Sequence, residues 1–138
     1  MDAAMTLDFR ENGKLSVEDS LLIEKIAPDV LQEYNDFTAR FIKTNNLTGL
    51  SLLLTGTCRN TYASSVFDIF CKVALLEERI IMNQVPDIIH VDEKIEGIIN
   101  GVLEKHSLED RVEVKLWKGR GIAVHIIFNI CCSLYFLI

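Results

Sequence analysis

Basic residues are too few in this chain to form a nucleic-acid-binding surface. The 138-residue sequence has 14 Lys and Arg against 20 Asp and Glu, which gives a formal net charge of −6. The basic residues are scattered along the chain, and an acidic protein repels the phosphate backbone of DNA and RNA. We therefore expect no nucleic-acid partner.

Motifs for metals, cofactors and nucleotides are also missing. The sequence contains neither GxGxxG nor GxxxxGK[ST], and it has no HExxH motif or GxSxG elbow. The four cysteines form no CxxC pair and no His/Cys ligand spacing, so we predict no zinc site, no other metal and no cofactor. No residue stands out as a nucleophile or a general base. The cysteines, expected to be reduced thiols, are Cys58, Cys71, Cys131 and Cys132.

A targeting signal is absent from the N-terminal stretch MDAAMTLDFRENGKLS. This stretch is acidic and has no apolar run, unlike a secretory or transit peptide. The absence of such a peptide and the reduced cysteines favour a cytoplasmic location. The apolar C-terminal segment adds the alternative of a cytoplasmic protein held at the inner face of the membrane.

What the sequence does contain is a helical N-terminal region over residues 16–44. Ser16 and Asp19 form a variant capping box that predicts a helix ending near residue 26. Pro28 predicts the start of a second helix, because proline is favoured in the first turn. An apolar face with spacings of three and four carries that second helix to about residue 43.

Short strands alternate with helices along the rest of the chain. Leu50–Leu54 and Asp87–Val91 are short apolar runs, and Arg111–Trp117 alternates apolar and charged residues. Amphipathic helices are predicted between them, over about residues 64–80 and 93–103. This order predicts an α/β fold, a Rossmann-like three-layer sandwich with a mostly parallel sheet, in one domain over residues 1–138. Three strands are few for a complete domain of this class, so we expect the fold to be incomplete.

The C-terminal segment Gly119–Ile138 has no charge after Arg120. Three interpretations stay open: the cut edge of a longer protein, a membrane-associated tail, or a buried C-terminal helix. His125, Asn129 and Ser133 recur at every fourth position, which favours packing against protein over immersion in lipid. If the chain is a fragment, a partner domain would cover this segment.

Two polar strand ends are the candidate binding sites, because parallel sheets bind ligands beyond the carboxyl ends of their strands. The first follows Leu50–Leu54 and leads into a helix start at Ser64, which suits a phosphate or a sugar hydroxyl. The second is Asp92, which also fits a plain helix cap. His90 is expected to pack in its strand and His106 to end a helix. The predicted ligand-binding residues are Thr55, Gly56, Thr57, Arg59, Asn60, Ser64 and Asp92.

Four segments between roughly Tyr34 and Asp92 form a recognisable series. They read, in order, EYNDFTARF, GLSLLLT, SSVFDIFCKVALLEERI and PDIIHVD. This series resembles the N-terminal region of bacterial surface-carbohydrate biosynthesis proteins of glycosyltransferase type. The resemblance implies one half of a two-domain GT-B fold, in which the N-terminal domain mainly contacts the acceptor and the missing C-terminal domain mainly holds the nucleotide sugar.

Two functions therefore stand side by side, and the sequence leaves open whether the chain is an enzyme. The resemblance implies a domain or fragment for surface polysaccharide biosynthesis, inactive alone, whose substrate is a sugar acceptor or a nucleotide sugar. In that case the loop of residues 55–61 and Asp92 would line the acceptor cleft. The alternative is a non-enzymatic α/β module attached to a membrane or to a partner through Gly119–Ile138.

Overall fold

A computed structural model describes residues 3–46, 48 and 65–118 of the chain. These residues form three helices and three strands, which alternate in part along the sequence. In chain order the elements are β1 (Thr6–Asp8), α1 (Val17–Thr44), α2 (Ser65–Ile81), β2 (Ile88–Asp92), α3 (Glu96–Lys105) and β3 (Glu113–Trp117).

The three strands form a parallel sheet in the order β1-β2-β3. Thr6 is aligned with Ile88, and Ile88 with Glu113. The predicted α/β class and parallel sheet are confirmed. Because the order in the sheet follows the order in the chain, right-handed crossovers place the connecting helices on the same face. The second helical layer of a three-layer sandwich stays a prediction.

The face of the sheet under the helices forms the core. Leu7 of β1 and both Ile89 and Val91 of β2 are buried there against side chains from α2 and α3. The core residues are Leu7, Phe9, Leu75, Leu76, Ile89, Val91, Ile95, Ile99, Val102, Leu103 and Val112. By the alternation of side chains along each strand, the opposite face is mostly polar. It carries Thr6, Asp8, Ile88, His90, Asp92, Glu113, Lys115 and Trp117.

The composition of the sheet differs from the sequence-based expectation at one strand. β1 was not predicted. Burial nevertheless alternates here: Leu7 and Phe9 are buried, whereas Thr6 is exposed and Asp8 is half-buried. The predicted strand Leu50–Leu54 lies outside the described residues. The strands predicted around β2 and β3 are confirmed. β2 is shifted by one residue at both ends, and β3 begins two residues later than predicted.

Helix α1 is continuous, so the prediction of two helices separated at Pro28 was wrong. Its start was predicted correctly: Ser16 is the N-cap, and its Oγ accepts a hydrogen bond of 3.0 Å from the backbone N–H of Asp19. Pro28 lacks one backbone donor, which costs a single helical hydrogen bond. Val30 and Tyr34, which follow the proline, are buried, and this burial stabilises the helix despite the missing hydrogen bond.

Aromatic side chains join α1 to the first half of α2. Tyr34 is fully buried, and its ring lies edge-on to Phe67 at 5.4 Å and to Phe70 at 5.3 Å between centroids. Phe37 lies 5.5 Å from Phe70. Such pairs add about 0.5 to 1.5 kcal/mol each beyond the area they bury. They fix the α1–α2 pair in one register.

The other end of the α1–α2 pair is held by a buried ion pair. Arg79 near the end of α2 is 2% exposed and Asp19 in the first turn of α1 is 3% exposed. The guanidinium donates to Asp19 Oδ1 through Nε at 2.9 Å and through a terminal nitrogen at 2.6 Å, and it also bonds Glu18 and Gln84. Burial lowers the pKa of Arg79, but the hydrogen bonds to Asp19 and Glu18 outweigh it and raise the pKa overall.

Helix α3 ends as predicted at His106, which is its C-cap. Ser107 follows with φ at 54°, in the left-handed region. The backbone N–H of Leu108 then donates to the carbonyl of Leu103 at 2.9 Å, and that of Ser107 to Glu104 at 3.0 Å. This is a Schellman-type ending without the usual glycine.

Candidate functional site

The carboxyl ends of all three strands meet at one edge of the sheet. β1 ends at Asp8, β2 at Asp92 and β3 at Trp117. The register aligns Asp8 with His90, and Asp92 with Trp117. Polar and aromatic side chains from distant parts of the sequence are thereby brought together at the edge where open parallel sheets bind ligands.

Asp8 is held in place by Arg10, two residues further along the chain. Arg10 donates from Nε to Oδ1 at 2.8 Å and from a terminal nitrogen to Oδ2 at 2.6 Å, a bidentate pair. These side-chain hydrogen bonds lower the pKa of Asp8 and outweigh partial burial, which raises it; the Arg10 backbone and the nearby His90 lower it further. Asp8 therefore stays ionised to a lower pH than an ordinary aspartate does.

The same guanidinium lies over the indole ring of Trp117, with 5.2 Å between the guanidinium carbon and the ring centroid. Trp117 is the one tryptophan of the sequence, and it is 59% exposed. A cation over the face of a tryptophan is attracted by the ring quadrupole, and this attraction fixes the orientation of the ring. Arg10 thus couples the end of β1 to the end of β3 across the width of the sheet.

A tight turn carries the chain away from β1 just below this cluster. The backbone N–H of Gly13 donates to the carbonyl of Arg10 at 2.9 Å. A Cβ atom at Gly13 would lie 2.5 Å from Oδ1 of Asp8 and 2.7 Å from its backbone oxygen. Only glycine allows this approach, and the turn in return limits the movement of the Asp8 carboxylate.

Asp92 ties the end of β2 to this turn. Its Oδ2 accepts from the backbone N–H of Glu11, and its Oδ1 from that of Lys94, both at 3.2 Å. Lys94 also pairs with Glu11 at 3.7 Å. The expectation that Asp92 caps the next helix needs correction: the N-cap of α3 is Ile95, and Asp92 instead caps the turn that precedes it.

A buried lysine supports the edge from the helix layer. Lys72 of α2 donates from Nζ to the carbonyl of Phe9 at 3.0 Å and pairs with Asp68 at 2.6 Å. The carbonyl of Phe9 lies one residue beyond β1, and Lys72 gives this buried residue a hydrogen-bond donor. Lys72 therefore fixes the point where the chain leaves β1 for the Arg10 turn.

Of the predicted ligand-binding residues, only Asp92 lies in the described part of the chain. Thr55, Gly56, Thr57, Arg59, Asn60 and Ser64 lie outside it, and so does the segment Gly119–Ile138. Sequence reasoning missed Asp8, Arg10 and Trp117. The signal that could have found Asp8 is the alternation of Thr6 to Phe9, which marks a strand that ends at a carboxylate. Trp117 was placed at a strand end but was not recognised as part of a site.

Two surface depressions lie away from this edge. One, of about 350 Å³, lies between α3 and β3 and is lined in part by Leu103, Val112 and Val114. The other, of about 440 Å³, lies at the amino end of β1 above the Arg79 ion pair. We favour the carboxyl edge as the ligand site, since the polar groups around Arg79 already satisfy one another.

Neither a metal cluster nor a membrane-spanning helix is found where the structure describes the chain. Residues 3–46 and 65–118 bring no three His, Cys, Asp or Glu side chains into a metal-binding group. No helix within these ranges is long and apolar enough to cross a bilayer. Comparisons with protein-family models, with curated proteins and with solved structures found nothing that matches this chain.

Proposed function

We propose that this chain is the acceptor-contacting α/β part of a glycosyltransferase-like protein for surface polysaccharide assembly, and that it is inactive alone. The observation that supports the proposal best is the exposed Trp117 ring beside the Asp8–Arg10 pair, at the carboxyl edge of a parallel sheet. The sequence resemblance between Tyr34 and Asp92 points to the same class. The predicted three-layer sandwich, with a second layer of helices on the opposite face of the sheet, is part of this proposal.

The chemistry of the edge suits a sugar. A flat aromatic ring offers an apolar surface to the C–H face of a pyranose, while carboxylates and guanidinium groups bond its hydroxyls. A carboxylate has about four acceptor positions. Each oxygen of Asp92 uses one of them for a backbone N–H, so each keeps capacity for a sugar hydroxyl. The role of Asp92 in this edge is positioning and recognition of hydroxyls.

The single tryptophan provides a direct test. Intrinsic fluorescence of the full chain would be followed during titration with oligosaccharides built from neutral hexoses and N-acetylhexosamines, and separately with nucleotide sugars. We expect a saturable change in Trp117 emission with an oligosaccharide. Arg10→Ala should weaken that binding at least tenfold because it releases both Asp8 and the indole ring, whereas Arg40→Ala, on the exposed surface of α1, should leave it unchanged.

Trp117 serves both as a binding residue and as the fluorophore. Calorimetry on Trp117→Phe and Trp117→Ala would measure its contribution to binding without relying on its fluorescence. The phenylalanine variant should keep most of the binding and the alanine variant should lose it. Absence of a saturable signal with every sugar, or equal binding by the wild type and Arg10→Ala, would remove this edge as an acceptor site.

A further inference from the structure

The outer side of β3 has no strand beside it within the described residues, because β3 is the last strand of the sheet. The backbone N–H of Glu113 donates to Asp87 next to β2, at 2.9 Å. Backbone donors alternate in direction along a strand, so those of Lys115 and Trp117 also point towards β2. The N–H groups of Val114 and Leu116 therefore point outwards, to the free side.

We propose that β3 pairs with β3 of a second copy of this chain, antiparallel, with Val114 opposite Val114. The described three-stranded sheets of the two copies then become one continuous sheet of at least six strands around a twofold axis. Such an isologous contact is closed, so it produces a dimer and not a fibre. The proposal is independent of sugar binding, since it uses the lateral edge of the sheet and not the carboxyl ends of its strands.

The hydrogen-bond pattern of β3 permits this register. Val114 presents its N–H to the free side, and two such residues facing each other exchange both hydrogen bonds. Leu116 then faces Val112 of the second copy. The N–H of Val112 already donates to Leu108 within its own turn, at 3.1 Å, so the ladder ends there. The pairing is short, and this matches the five-residue length of β3.

Charge complementarity selects this register over its neighbour. With Val114 on the axis, Glu113 of each copy lies opposite Lys115 of the other, and both side chains are exposed on the same face of the sheet. Shifting the axis by one residue to Lys115 would place two lysines opposite each other. Cross-strand pairs of opposite charge stabilise a sheet, and directly opposed like charges destabilise it. Within one chain Glu113 and Lys115 are 3.8 Å apart, so a four-charge cluster would form at the axis.

The surface beside the edge leaves space for the second strand. The depression of about 350 Å³ between α3 and β3 is lined by apolar Leu103, Val112 and Val114 and by polar Asn100, Glu104 and Glu109. In the proposed register, Val114 of the second copy would lie on the same side of the sheet as this depression. Pairing this edge with its own copy also protects it from other strands, which an exposed edge otherwise attracts.

The test is the oligomeric state of the full chain as a function of concentration, by sedimentation equilibrium. We expect a monomer–dimer equilibrium. Lys115→Glu and Glu113→Lys should each raise the dissociation constant about tenfold or more, because the twofold axis turns two attractive pairs into two repulsive pairs. The double variant Glu113→Lys/Lys115→Glu should restore wild-type dimerisation. Lys25→Glu, the same charge change on exposed α1, should have no effect.

Every outcome decides the proposal. A monomer at all concentrations overturns it. If the Val114 and Leu116 amides of that monomer are protected from hydrogen exchange, another segment of the same chain covers the edge. A dimer that ignores the single reversals overturns it in favour of another interface. A dimer weakened by both reversals but not restored by the swap overturns the register. Circular dichroism of each variant confirms that the fold is kept.

Discussion

Among single residues, Asp19 is expected to have the largest effect on stability. Asp19→Ala leaves the guanidinium of Arg79 buried without its main partner, which costs about 3 to 5 kcal/mol. Glu18→Ala removes the other carboxylate from the same guanidinium, but Glu18 is 73% exposed, so the expected cost is below about 1 kcal/mol. Urea unfolding of the two variants measures the difference. Equal losses would contradict the importance of burial.

Asp8 gives a prediction about acid stability. Its pKa in the folded protein lies below the ordinary 3.8 because Arg10 bonds the ionised form. The carboxylate therefore stabilises the fold above the unfolded-state pKa, and this contribution is lost as the pH falls through the lower folded-state pKa. Asp8→Asn should make stability depend less on pH below about pH 5, where the ordinary carboxyl begins to protonate. Asp29→Asn, on the surface of α1, is the matched control in a series of urea titrations.

The thiol of Cys71 is expected to be unreactive in the native state. Burial raises its pKa to about 11, and the nearby Asp68 adds to the effect. The thiolate is the reactive form, so it is scarce at pH 8. In a variant with Ser at the other three cysteine positions, a disulfide reagent should label Cys71 slowly in buffer and rapidly in urea. Equal rates in the two conditions would show that the side chain is accessible.

At the scale of elements, the ending of α3 contains a correctable strain. Ser107 adopts a left-handed φ that costs an L-residue about 1 to 2 kcal/mol. Ser107→Gly should raise the free energy of unfolding by about 0.5 to 1 kcal/mol, after subtraction of the extra entropy of glycine in the unfolded chain. Ser107→Ala keeps the strain and should bring no gain. Thermal and urea unfolding of both variants test this, and a loss on glycine substitution would mean that the serine hydroxyl is needed.

Periodicity predicts elements only as far as it extends along the chain. β2, β3 and the helices were predictable because their apolar patterns are local. β1 has three residues, so its alternation, from Thr6 to Phe9, is a shorter signal than that of β3. The continuity of α1 through Pro28 depends on packing of Tyr34 against α2, which no local pattern contains. The cluster of Asp8, Arg10 and Trp117 forms only when the strands pair, so residues far apart in sequence had to be placed in register before the site could be recognised.

For the whole molecule, the central position of β2 sets the order of local stability. Ile89 and Val91 are fully buried, and β2 has a strand on each side. We expect the slowest hydrogen exchange at the amides of β2 and faster exchange at β1, which is short and lies at an edge of the sheet formed by the described residues. Exchange measured by NMR under native conditions tests this. Protection of β1 equal to that of β2 would show that the sheet opens only by global unfolding.

The strand order also has a consequence for how the chain reaches its native state. β2 and β3 pair through residues 25 positions apart, whereas β1 and β2 pair through residues 82 positions apart. Closing the longer loop costs about 1 kcal/mol more in chain entropy. The β2–α3–β3 unit is therefore the natural nucleus, and β1 is the last strand to dock. During synthesis β1 emerges before β2, which is its partner in the described sheet. The end of the sheet that carries Asp8 and Arg10 is therefore completed late in folding.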